Sequence, residues 1–213
     1  MQRDLFSSVK EPCDWEQIEV PNANIKISRA FLDSASATSY FNELVSTIPW
    51  RQDQIRVFGK KHDLPRLQQW YGEPGTVYIW SGVKMTPEPL TPALTRLKSL
   101  IELTTGNTFN SLLANLYRNG DDTVGWHSDD EPEFGELPII ASLSLGASRD
   151  FVLRHKHRSD ISTLKISLTS GSLLVMSGDT QENWQHAVPR RATVKSPRIN
   201  LTLRTSTALI RKK

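Results

Sequence analysis

Cysteine is almost absent, with Cys13 alone in 213 residues. That excludes a disulfide framework and any CxxC zinc or redox motif, and Cys13, with no histidine near it, is given no role. Long apolar runs are missing as well. Nothing approaches the roughly 18 residues that span a bilayer, and charges interrupt the start, MQRDLFSSVKEPCDWEQ. The expectation is a soluble cytoplasmic monomer without membrane contact, nucleoid-associated in a bacterium or nuclear in a eukaryote. Acids, too, are missing from one region: none follows Glu182, whereas Arg190, Arg191, Lys195, Arg198, Arg204, Arg211, Lys212 and Lys213 do. The net charge is only +3. Its unevenness, with a second basic stretch in RDFVLRHKHR, suits a polyanionic partner or an ordinary solvated face. No P-loop, GxGxxG or GxSxG offers a competing chemistry.

What is there reads as two helices followed by many short strands. Residues 31–48 carry a helical stripe of Tyr40, Phe41, Leu44, Val45 and Ile48, with Asp33 or Ser34 as cap and Pro49 as stop. A second helix is expected from Thr91 as N-cap and Pro92 in its first turn to Gly106 as terminator, with Leu94, Leu97 and Leu100 or Ile101 inward. The segment between them, rich in aromatics, Gly and Pro, predicts short strands joined by turns, one at Glu73-Pro74-Gly75. From Thr108 onward FNSLLANLYR, IIASLSLG, RDFVLRH, TLKISLT, GSLLVMSG and RINLTLRTS form a series of strands. The fold class is α+β, mainly β: a jelly roll with helices packed on it and a variable segment in front. The chain is read as one domain, with 1–106 an extension and 107–205 the core.

Three constellations bear chemistry. In GDDTVGWHSDDEPE, His127 and Asp129 have the spacing that puts both on one face of a strand. His186, in NWQHAVPR, is a third ligand if another strand brings it opposite, and two histidines with one carboxylate suit non-haem Fe(II). In SPRINLTLRTS, Arg198, Asn200, Thr202 and Arg204 share strand parity. Two guanidinium groups buried on one face require anions, and a dicarboxylate would supply them through bidentate pairing. In ANLYRNGDD, Asn115 and Tyr117 project together before a turn at Arg118-Asn119-Gly120-Asp121, read as a hairpin leading back toward His127. The same ligands also suit zinc and a metal-activated water. That alternative, like a non-catalytic binder of single strands, leaves one of these sets unused.

The order NxYxxGxD, HxD, a distant H and RxNxTxR resembles the AlkB family of Fe(II)- and 2-oxoglutarate-dependent nucleic-acid dealkylases, over about Gln54 to Thr205. RVFGKKHDLPR, YIWSG, WHSDDE and ASLSLGASRDFVLRHK resemble its homologue-2 branch, which acts in DNA repair. The resemblance implies a double-stranded β-helix in which His127, Asp129 and His186 hold iron. It implies that Asn115, Tyr117, Arg198, Thr202 and Arg204 contact 2-oxoglutarate, Arg198 at the distal carboxylate. Family chemistry uses O2 to turn 2-oxoglutarate into succinate and CO2 while an N-alkyl carbon of 1-methyladenine or 3-methylcytosine type is hydroxylated and leaves as aldehyde. The implied substrate is alkylated DNA, with RNA as the alternative. Trp80 and Tyr78 match the place where a flipped base stacks, with His127 on its other side, and Asp130 and Glu131 match readers of the base edge. Phe58, with Gly59, resembles a finger that fills the gap left in a duplex; Lys60, Lys61 and Arg66 would then meet phosphates. One departure is Trp80, where the branch has phenylalanine, which puts the lesion range in doubt.

Overall fold

A computed structural model describes residues 13–57, 59–72, 78–80, 83–85 and 87–206, and at 56–57, 78–80 and 83–85 it describes the backbone alone. The Glu73-Pro74-Gly75 turn lies outside the described residues. Strands β1 (Glu16–Ile18) and β2 (Asn24–Ser28) precede helix α1 (Ser34–Thr47). Then come β3 (Gln54–Val57), β4 (Lys60–Asp63), β5 (Leu67–Gly72), β6 (Tyr78–Trp80), β7 (Val83–Met85) and helix α2 (Pro92–Thr105). The remainder is β8 (Ser111–Tyr117), β9 (Val124–His127), β10 (Ile140–Gly146), β11 (Arg149–His155), β12 (Leu164–Leu168), β13 (Leu173–Ser177), the one-turn α3 (Thr180–Asn183), β14 (Trp184–Val188) and β15 (Arg198–Arg204).

The helices form where caps and stripe agree. The Asp33 carboxylate accepts from the Ser36 N–H at 2.8 Å, and Thr91 accepts from the Leu94 N–H ahead of Pro92. Gly106 closes α2 in the left-handed region, φ 71°, donating to the Glu102 carbonyl. Ala37, Tyr40, Leu44 and Ile48 are buried, as are Leu94, Leu97 and Ile101. Val45, expected inward, is 37% exposed: it falls at the edge of a stripe that the sheet beneath does not reach.

The strands make a jelly roll of two facing sheets. The major sheet runs β1-β2-β13-β10-β15-β8-β5 and the minor sheet β12-β11-β14-β9, all antiparallel. Strands from both sides of residue 106 enter the major sheet. Its first two had no strong signal in the sequence, because EQI and NIKIS are short. Alternation on β15 divides the interior. Ile199, Leu201 and Leu203 face α1 and α2, with Leu112, Ala114 and Leu116 of β8 and Leu143 and Leu145 of β10. Arg198, Asn200, Thr202 and Arg204 point between the sheets and line a cavity there.

A second expectation is corrected. The turn after β8 is not a hairpin, because β9 pairs with β14 while β8 pairs with β15 and β5. The chain crosses from the major to the minor sheet at Gly120, whose N–H donates to the Val194 carbonyl at 2.8 Å and whose carbonyl accepts from Arg191. A methyl group there would collide with the Arg191 carbonyl, so glycine is required by the close approach of backbones rather than by a turn type.

Candidate metal and cosubstrate site

The cavity between the sheets measures about 390 Å³. His127 and His186 meet on its minor-sheet wall, because β9 and β14 pair in a register that places them opposite each other. Their rings lie 4.3 Å apart at 63°. Asp129, two residues beyond His127, turns back so that its oxygens lie 3.9 Å from His127 Nε2 and 3.8 Å from His186 Nε2. All three donor atoms fall within 4.8 Å of one another.

Each donor is held in place. The Gly125 carbonyl sits 2.9 Å from His127 Nδ1; a carbonyl only accepts, so Nδ1–H donates to it and fixes the ring with Nε2 toward Asp129. The Asp129 N–H donates to Gln181 Oε1 at 2.9 Å, and Ser128 Oγ donates to the Trp184 carbonyl. Arg204 Nη2 donates to Asp129 Oδ1 at 2.6 Å. Burial would raise the Asp129 carboxyl, but Arg204, His186 and His127 together hold it below its ordinary range. Burial first, and then His127, push His186 down to about 3. The site thus presents an ionised carboxylate and a neutral imidazole, the forms in which both bind metal.

The opposite end of the cavity is built by the paired strands β8 and β15, whose register sets Tyr117 beside Arg198 and Asn115 beside Asn200. Arg198 is 1% exposed. Its Nη2 donates to Ser144 Oγ at 2.9 Å, but Nε and Nη1 have no hydrogen-bond partner. Burial and the nearby Arg149 lower its pKa against the opposing influence of Tyr117, whose ring lies 5.1 Å from the guanidinium carbon. A buried cation with two unpartnered nitrogens calls for an anion, and a carboxylate fits both. Asn200 is committed on both ends, donating to Ser142 Oγ and accepting from Thr202 Oγ1. Thr202 lines the cavity with its proton already used.

Arg66 was expected to meet phosphates from the outside, and the structure corrects this. It is buried, and its Nε donates to Asn115 Oδ1 at 2.9 Å. The β5–β8 pairing carries the segment just before β5 inward beside Asn115. With Oδ1 accepting from Arg66, the Asn115 amide keeps its NH₂ for other partners. The sequence places neither Arg66 nor Gln181, Ser142 and Ser144 at the cavity; each is polar and lies on or beside an element, α3 for Gln181 and β10 for the two serines, whose partner is invisible in sequence.

The proposed substrate contacts fare unevenly. Asp130 and Glu131 do not line the cavity; Asp130 Oδ2 pairs with Lys156 Nζ at 2.9 Å, and Lys156 also donates to the Gln181 carbonyl. Gly59, at φ 78°, and the exposed Lys60 and Lys61 sit at the tip and on the second strand of the β3–β4 hairpin, where Val57 pairs with Lys60. Phe58 lies outside the described residues. Tyr78 and Trp80 share β6, paired with β7, and their side chains are likewise outside the described ones. Among the described residues no helix is long and apolar enough to cross a membrane.

A jelly roll with two histidines and a carboxylate on one wall and an unpaired buried arginine opposite defines a class. The chain matches the family model of the 2OG-Fe(II) oxygenase superfamily over residues 24–204 and belongs to it. OsALKBH1 shares the fold, with a TM-score of 0.64 at 16% identity over 90% of this chain and 100% of that one. More narrowly, the chain is one of the AlkB homologues. It is 46% identical over 183 residues to alpha-ketoglutarate-dependent dioxygenase alkB homolog 3 of Bos taurus, covering 82% of this chain and 63% of that protein. It is 38% identical over 205 residues to DNA oxidative demethylase ALKBH2 of Mus musculus, covering 92% and 85%. The chain therefore spans less than two thirds of the first of these relatives and most of the second.

Proposed function

We propose that this protein oxidatively removes alkyl groups from N-alkylated bases of the 1-methyladenine and 3-methylcytosine type, with DNA as the substrate. The observation that carries the proposal is the distribution of charge in one cavity: a His127–Asp129–His186 cluster at one wall and a buried Arg198 with two unpartnered guanidinium nitrogens at another. A zinc hydrolase would have no use for Arg198. The DNA assignment draws on the relative named a DNA oxidative demethylase.

Iron(II) held by the cluster, with 2-oxoglutarate and O2, supplies oxidative decarboxylation to succinate and CO2 coupled to hydroxylation of the N-alkyl carbon. The chain's own contribution is placement. Arg198 takes the distal carboxylate, with the Tyr117 phenol beside it and the Asn115 amide turned inward by Arg66. Arg204 keeps Asp129 ionised and fixes which oxygen is shared. The apolar wall of Ile140, Phe151 and Met176 limits water. Once hydroxylated, the substrate carbon loses its bond to nitrogen, releasing an aldehyde and restoring the base.

The substrate contacts belong to the same reading. Trp80 and Tyr78 stack on the flipped base, Phe58 fills the gap it leaves, and Gly59, Lys60 and Lys61 follow the backbone. Asp130 and Glu131 reach the base edge, Asp130 only after exchanging Lys156 for the base. The chain acts as a single monomeric domain in the compartment that holds the DNA. Purified protein given Fe(II), 2-oxoglutarate, O2 and an oligonucleotide carrying 1-methyladenine releases formaldehyde and succinate in equal amounts. His127→Ala and Asp129→Ala abolish both. Full activity in both variants refutes the metal assignment.

A further inference from the structure

Next to His127, but on the outer face of the minor sheet, β9 exposes a large aromatic side chain: Trp126 is 39% exposed. The Arg154 guanidinium carbon, from β11, lies 4.4 Å from the ring centroid, and Gln185 of β14 accepts from Arg154 Nη2 at 2.8 Å and Nε at 3.1 Å. The three side chains thus form a row across β9, β14 and β11. β9 is an edge strand, and Trp126 is the direct chain neighbour of the cavity-lining His127.

The charge in this row is set apart. Arg29, Arg51, Arg96, Arg118, Arg158, Arg190, Arg191 and Arg204 each pair with a carboxylate. Arg154 is exposed, makes no ion pair among the described residues, and is oriented by a neutral amide. An amide fixes direction without cancelling charge. A fixed guanidinium beside an exposed indole suits a group that offers a flat π face and an anion together, which describes a nucleotide in a single strand.

We infer that Trp126, Arg154 and Gln185 form a platform for a strand segment next to the base in the cavity, Trp126 stacking on one base and Arg154 meeting one phosphate. This rests on the nucleic-acid reading above and adds to it a contact outside the base pocket. A surface cation–π pair that only stabilises the fold predicts a lower melting temperature on truncation and no effect on binding.

The test is anaerobic binding of Fe(II)- and 2-oxoglutarate-loaded protein to a fluorescein-labelled single-stranded 15-mer carrying 1-methyladenine, read by anisotropy across a salt series. Trp126→Ala raises Kd about ten-fold, within the range of one stacked base, and leaves the salt slope unchanged. Arg154→Gln lowers the log–log salt slope by about 0.7, the value for one single-strand phosphate contact. Gln185→Ala, which frees Arg154 to move, gives a smaller loss that Gln185→Asn partly restores. Wild-type Kd and slope in both Trp126→Ala and Arg154→Gln, with melting curves showing folded protein, overturn the platform while leaving the dealkylase reading intact. If the wild type neither binds nor turns over the oligonucleotide, the dealkylase reading fails first.

Discussion

Replacing Arg198 with methionine should have opposite effects on the empty and the loaded protein. In the empty protein this guanidinium is 1% exposed, with one hydrogen bond to Ser144 and two nitrogens, Nε and Nη1, without partners. Substituting an apolar side chain of similar volume for a poorly compensated buried charge is neutral or stabilising by about 1–4 kcal/mol. For a domain of this length each kcal/mol moves Tm by about 2–4 °C. With 2-oxoglutarate bound, the same change strips the distal carboxylate of its paired donors and costs about 3–5 kcal/mol. That corresponds to an affinity about 100- to 1000-fold weaker or more. The assay is thermal melting of Fe(II)-loaded anaerobic protein with and without 2-oxoglutarate. At about 100 times Kd the wild type gains about 2.7 kcal/mol, and Arg198→Met loses this gain while melting no lower than the wild type when empty. A variant that melts several degrees lower when empty and keeps the ligand shift refutes the assignment of Arg198 as an anion partner held in reserve.

Four further outcomes are expected, two from the described geometry and two from the proposed substrate contacts. Because His186 is held near 3 against an ordinary 6.5, the unfolded chain takes up the proton first. Stability of the metal-free protein therefore falls as pH drops from about 6.5 toward 3, by at most about 1.4 kcal/mol per unit from this group; urea unfolding shows a shallower fall in His186→Asn. Gly120→Ala forces apart backbones that meet at Arg191 and destabilises by about 1–3 kcal/mol, which chemical denaturation measures. Trp80→Ala weakens turnover of base lesions while uncoupled 2-oxoglutarate decarboxylation persists, and Phe58→Ala affects duplex substrates alone; equal behaviour on single and double strands removes Phe58 from the finger role.

Periodicity and parity carried the sequence reading where the signal is local. Caps at Asp33 and Thr91, the stop at Gly106 and the six later strands follow from residues adjacent in the chain. So does the shared face of Arg198, Asn200, Thr202 and Arg204, because side-chain direction repeats every two residues whatever the strand pairs with. Partnership does not follow. Arg66 lies in a basic, Pro-containing stretch that looks solvated, and only the register of β5 on β8 makes it the neighbour of Asn115. Asp130 looks free in an acidic loop until β11 ends with Lys156 beside it. The hairpin expected at Gly120 failed for the same reason: a turn signal says that the chain reverses, not which sheet it joins next.

β15 has a consequence for how the chain must be made. Its seven residues are buried throughout, and it lies between β10 and β8, central in the major sheet although it follows every other described strand in the sequence. During synthesis, β8 and β10 emerge first and wait with facing edges unpaired and with Leu112, Leu143 and their neighbours uncovered. The major sheet stays in two parts, β1-β2-β13-β10 and β8-β5, until residues 198–204 have left the ribosome and slid between them. The strand that carries both arginines is thus also the keystone inserted last, and a nascent chain stalled before Arg198 has no cosubstrate site and exposes the unpaired edges of β8 and β10.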